Sequence, residues 1–242
     1  MKTVRNSAFE TNSSSMHAIV VARAGYYNKE PIDVCMDASM DFSERTLIVR
    51  DSPDEKASYC FHLIIDHWNS KLVQGKWDSK TCELADITDK EVERNKSVIA
   101  VYRKFISFMK KSLKKNWNIN LTVKGVSVTC KKNGAEIERK PWASTGCYGH
   151  DALKAILMDN MFATIDKIAE PGADLSVLKN KSEHIGWCDF YDLAYFILDP
   201  NSVIIQNTDE CDEKDRKKMQ RLVMDYVKKN KGMCHVDWPL GG

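Results

Sequence analysis

Apolar and polar positions change period several times along the chain, and each change marks an element. An unbroken apolar run at 18–22 predicts a buried strand opening directly out of a polar segment. Residues 25–30 read as a polar turn, and 32–36 and 46–49 as short strands. Ser52-Pro53-Asp54-Glu55 then announces a helix. Serine suits the N-cap, proline the first helical position, and Glu55 can reach back to close a capping box. This helix is expected to run to about Leu72 and to bury Cys60, Phe61, Leu63, Ile64, Ile65 and Trp68. A second box, Thr88 to Glu91, opens a longer helix towards Lys115. Val98, Val101, Tyr102, Phe105, Met109 and Leu113 form its apolar stripe.

From 118 to 140 the period shortens to alternation, at 121–123 and 126–128. Asn133-Gly134 marks a hairpin before 135–139, so this region reads as a meander of two or three strands. Residues 141–149 form a loop with two aromatics and two glycines, and 150–168 is helical until Pro171-Gly172. A further helix spans 189–198. Residues 199–202 turn into a strand at 203–205, 207–212 is an acidic loop, and 212–231 is an amphipathic helix ending at Gly232. Strands and helices come in runs without regular alternation. The fold class is therefore α+β, a single domain over 1–242 with a soft boundary near 75–88. Its sheet is mixed or mostly antiparallel, packed by several amphipathic helices.

Composition adds mainly exclusions. Hydrophobic content of 43% and charged content of 29% suit a folded globular chain rather than a disordered one. The net charge of +2 gives no global pull towards nucleic acid or an anionic membrane. No apolar run approaches the roughly 18–20 residues of a membrane helix, and no signal-peptide pattern opens the sequence, so a cytoplasmic location is expected. The eight cysteines include no C-x-x-C pair, which points to reduced, mostly buried thiols and to no metal site.

The densest chemistry lies at 5–17. It comprises Arg5, Glu10, Thr11, Asn12, three consecutive serines (Ser13, Ser14, Ser15) and His17. Serine hydroxyls and adjacent N–H groups suit a phosphate or carboxylate, Arg5 can add a bidentate fork, and Asn12 can orient a ribose hydroxyl. His17 would serve as general acid or base, with Glu10 orienting it or acting as a second base. The bland alternative is a rigid turn in which Ser and Asn side chains satisfy their own backbone. The pattern Arg-x-x-x-Phe-Glu-Thr-Asn-Ser-Ser-Ser-x-His, met by Arg5, residues 9–15 and His17, resembles the opening of an uncharacterised group of phage and bacterial proteins. Residues 196–209 (Phe-Ile-Leu-Asp-Pro-Asn-Ser-Val-Ile-Ile-Gln-Asn-Thr-Asp) are similar to a later segment of that group. His150 is the counterpart of its mid-chain histidine, although the setting Gly149-His150-Asp151 departs from the pattern.

Other motifs compete. Residues 145–151, with Cys147 and His150, would let a backbone approach an anion at a helix start, or form a plain loop. His62 and Asp66, four apart and beside His67, hint at a metal phosphohydrolase, yet His62 falls on a core-like stripe. The lysine runs at 110–115 and 214–218 could touch nucleic acid, but solvated helix faces balanced by nearby acids are the commoner explanation. The terminal Gly241-Gly242 reads as a plain chain end.

These observations favour an enzyme acting on a phosphorylated, nucleotide-like ligand by phosphoryl, nucleotidyl or glycosidic chemistry. Arg5, Asn12, Ser13, Ser14 and Ser15 would bind, His17 and His150 would share acid–base work, and Glu10 would support them. The competing class is a non-catalytic interaction protein that sequesters a host protein or small nucleotide, anchored by Trp77, Trp142 and Tyr148. No membrane partner is expected, and nucleic acid is not favoured.

Overall fold

Helix α1 (Pro53–Asn69) is the element against which the others are laid. The structure, a computed structural model, describes residues 16–23, 30–42, 47–132, 134–139, 158–178, 190–208, 213–229 and 234–237. The start of α1 follows the expected box: the Glu55 N–H donates to Ser52 Oγ at 3.3 Å, and the Ser52 N–H to the Glu55 carboxylate at 3.4 Å. From Lys56 to Ile65 every residue of α1 is buried, as is Trp68. Such a helix has no solvent side along its middle, so its polar members need partners inside.

Ser58 finds its partners on a strand. β2 (Ile32–Asp37) pairs in parallel with β6 (Ile119–Lys124), which satisfies one of its edges. On the other edge the Cys35 N–H donates to Asp54 Oδ1 at 2.8 Å and the Asp37 N–H to Ser58 Oγ at 2.9 Å. Ser58 Oγ–H in turn donates to the Cys35 carbonyl at 3.2 Å. A helix thus supplies side-chain partners to the half-buried strand edge that β6 leaves unpaired.

Helix α2 (Asp89–Trp117) crosses between these strands in sequence and opens on the second box, with the Thr88 N–H donating to Glu91 at 2.7 Å. It ends at Asn118, whose φ of 57° is the left-handed turn that releases the chain into β6. Two buried or part-buried asparagines clamp main chain on either side. Asn95 exchanges two hydrogen bonds of 2.8 Å with the Val73 backbone, and Asn69 holds Ile137 N–H and C=O at 2.9 and 3.2 Å.

Gly125, with φ of 73°, joins β6 to β7 (Val126–Lys131), which pairs antiparallel with β8 (Gly134–Arg139). A Cβ on Gly125 would lie 2.7 Å from Ser39 N, so glycine is required there. The region from 118 to 140 is therefore not one meander. β6 joins β2, only β7 and β8 form the hairpin, and the reversal closes between Lys131 and Gly134.

A four-stranded antiparallel sheet has the order β10-β1-β9-β3, from Cys234–Asp237, Met16–Arg23, Val203–Thr208 and Ile48–Arg50. Helices α3 (Asp159–Ile168) and α4 (Tyr191–Leu198) pack on α1, and α5 (Glu213–Lys229) lies on the four-stranded sheet. The class is α+β with mostly antiparallel pairing, its described strands divided among four small sheets. β10, a short 3-10 turn at Leu175–Leu178, and a ribbon of β4 (Trp77–Asp78) with β5 (Glu83–Leu84) were not expected. No helix among the described residues is long and apolar enough to cross a membrane.

Candidate functional site

Strand β9 is the fixed point. Val203, Ile204 and Ile205 are all fully buried, and they divide by alternation. Val203 and Ile205 pack with Met219 and Val223 of α5, whereas Ile204 joins the main core around α1. Covered on both faces at 203–205, β9 holds its neighbours in a defined register. β1 runs antiparallel to it, with Met16 opposite Thr208, His17 opposite Asn207 and Val21 opposite Val203. Ile48 of β3 stands opposite Gln206 on the other side.

This register brings two distant segments together. His17, the end of the Ser-rich pattern, lies beside the Gln206-Asn207-Thr208 stretch that continues the other similar segment. Arg5, Glu10, Asn12, Ser13, Ser14, Ser15 and His150 lie outside the described residues, as do Trp142, Cys147 and Tyr148.

At the opposite end of β9 is a polar cluster that sequence reasoning missed. Lys56 is 1% exposed, and its ammonium donates to the carbonyls of Asp199 at 2.8 Å and Ser202 at 3.3 Å. These carbonyls belong to the turn between α4 and β9, so the lysine caps the C-terminal end of α4 with positive charge. Asp199 Oδ1 accepts from the Asn201 N–H at 2.9 Å and from Asn201 Nδ2 at 3.1 Å. Among the described residues, Asp199 Oδ2 and Ser202 Oγ are buried without a hydrogen-bond partner. Burial pushes the Lys56 pKa down to about 8, against the opposing pull of the Asp199 and Asp51 carboxylates. Burial also pushes the Cys60 thiol up to about 12, which makes it an inert core residue. A signal existed in the sequence, since Lys56 precedes Cys60 and Ile64 at intervals of four on the apolar stripe.

A second cluster links α1 to α3. His67 Nε2 and Asp166 Oδ1 lie 2.7 Å apart, Lys71 Nζ reaches the same oxygen at 2.6 Å, and the His67 ring packs on Phe162 with centroids 4.3 Å apart. Burial raises the Asp166 carboxyl, but the hydrogen bonds from Lys71 and His67 outweigh it and hold the group below its usual value. His62 is turned away from this cluster into the core, edge-on to Phe42 at 4.9 Å. Among the described residues no group of three or more His, Cys, Asp or Glu side chains is placed to hold a metal ion. The His62–Asp66–His67 motif is thus divided between core packing and a helix-to-helix clip.

The chain matches no family model, no curated protein and no solved structure. Functional assignment therefore rests on its own residues. Cys35, Cys60, Cys82 and Cys130 carry no disulfide. Trp77 is 64% exposed and stands directly opposite Leu84, itself 42% exposed, on the β4–β5 ribbon.

Proposed function

We propose that this chain is a cytoplasmic enzyme acting on a phosphorylated, nucleotide-like ligand at the start of β1. The supporting observation is the pairing of His17 with Asn207, which makes neighbours of the end of the Ser-rich pattern and the polar Gln206-Asn207-Thr208 stretch. In this reading Arg5 and Ser13 to Ser15 hold the phosphate, and Asn12 orients the sugar. His17 transfers the proton, supported by Glu10, and His150 supplies the second acid–base group. The test is thermal unfolding in the presence of ATP, GTP, NAD or inorganic phosphate, because a ligand specific for the folded state raises the melting temperature. A rise with one of them, lost in both Arg5→Ala and His17→Ala, is the expected result. No rise with any of these probes would overturn the reading.

The exposed Trp77–Leu84 pair favours a second reading, a non-catalytic module that grips a protein partner. A biological effect that survives His17→Ala but is lost in Trp77→Ala would select it.

A further inference from the structure

The second half of α2 turns an almost wholly cationic face to solvent. Between Val101 and Trp117 its exposed positions are Arg103, Lys104, Lys110, Lys111, Lys114 and Lys115, together with Ser107. At about 3.6 residues per turn these positions share one side of the helix, a stripe roughly 18 Å long. The opposite side, with Tyr102, Phe105, Met109 and Leu113, is buried in the core.

The flanking sequence does not supply the acids expected to balance these lysines. From Arg94 to Ala135 the sequence contains no Asp or Glu. None of the six cations forms an ion pair among the described residues, whereas Lys96 pairs with Glu93, Lys71 with Asp166, Lys124 with Asp37 and Lys217 with Glu213. The helix dipole accounts for Lys114 and Lys115 in the last turn but not for the four cations before them. Six like charges along one face repel one another, and a repeating anion relieves that repulsion.

We propose that this face of α2 binds the phosphodiester backbone of a nucleic acid, independently of the ligand site at β1. Cations recur about every 5.4 Å turn, in keeping with a strand of regularly spaced phosphates, and contacts of this kind position a nucleic acid without reading its sequence. An anionic membrane is the poorer fit. A helix lying on lipid inserts an apolar face, and the exposed large apolar residues among those described, Trp77, Leu84, Tyr191 and Met224, include none on α2.

The test is fluorescence anisotropy of the full chain with labelled single-stranded and duplex oligonucleotides of about 20 nucleotides in rising salt. Four to six phosphate contacts should weaken binding roughly a hundred- to a thousand-fold between about 50 and 200 mM salt. Lys110→Ala with Lys114→Ala should lower the slope of log affinity against log salt by about two, with melting temperature unchanged. Lys214→Ala with Lys218→Ala on α5 should leave that slope alone. No binding of either oligonucleotide at the lowest salt, loss only with the α5 pair, or binding confined to vesicles containing anionic phospholipid would each overturn the proposal.

Discussion

Lys56 and Asp199 meet across 143 positions of chain, the ammonium of one donating at 2.8 Å to the main-chain carbonyl of the other. This bond pins the turn from which β9 starts, and β9 sets the register of β1. The pH dependence of stability should report it. The folded pKa is about 8 against an ordinary 10.5, so between these values the unfolded chain still binds a proton that the folded chain has released. Stability from this group therefore rises with pH across that window. The unfolding free energy of the wild type minus that of Lys56→Met should grow by roughly 3 kcal/mol from pH 7.5 to 10.5, measured by urea titration. Cys60 works in the opposite direction above pH 9 in both proteins, and largely cancels in the difference. A difference that stays flat would count against a buried, depressed lysine.

Ser58 makes a cleaner case for polar satisfaction. Ser58→Ala removes the acceptor of the Asp37 N–H and the donor to the Cys35 carbonyl, both on the covered edge of β2. A loss of about 1–3 kcal/mol is expected. Hydrogen exchange at the Asp37 amide should accelerate by a matching factor, a change that simple loss of side-chain volume would not produce.

Gly125→Ala should be costly for two reasons. Its φ of 73° suits glycine, and the added Cβ would meet main chain at 2.7 Å rather than a yielding side-chain tip. About 2 kcal/mol or more is expected from chemical denaturation. If the variant is as stable as the wild type, the junction between β6 and β7 is not built as described.

Asp166 should matter less. Its side chain is 49% exposed, so solvent screens its bonds to His67 and Lys71, and Asp166→Ala should cost no more than about 1 kcal/mol. Because its folded pKa lies below the ordinary 3.8, this contribution is present above that value and disappears as pH falls through the folded pKa. Melting curves at pH 7 and pH 3 should show the gap between variant and wild type closing at the lower pH.

Much of the frame was legible from local rules. The boxes at Ser52–Glu55 and Thr88–Glu91 lie within a few residues, so their donors and acceptors can be matched by spacing alone. The apolar run 18–22 falls within β1, and the stripe from Val98 to Leu113 faces inward. Pairing across long intervals was not legible. Nothing local tells β6 to run parallel to β2 rather than antiparallel to β7, and two-residue strands such as Trp77–Asp78 carry no period. Lys56 was passed over because a lysine on an apolar stripe looks misplaced until the carbonyls it serves arrive from Asp199 and Ser202. The partnership of His17 with Asn207 is likewise a property of the register, invisible in either segment alone.

The place of β1 in its sheet has a bearing on how the protein is made. β1 is the first of the described strands to leave the ribosome, yet it pairs with residues 203–208 and 234–237, which emerge much later. The contiguous stretch 32–124, holding β2, α1, α2 and β6, can collapse on its own schedule. Throughout that interval the apolar strand Met16–Arg23 waits with both edges unmatched, the condition under which nascent chains pair with one another. Slower synthesis lengthens this exposure, so the yield of folded protein should depend on translation speed more than its final stability alone would suggest.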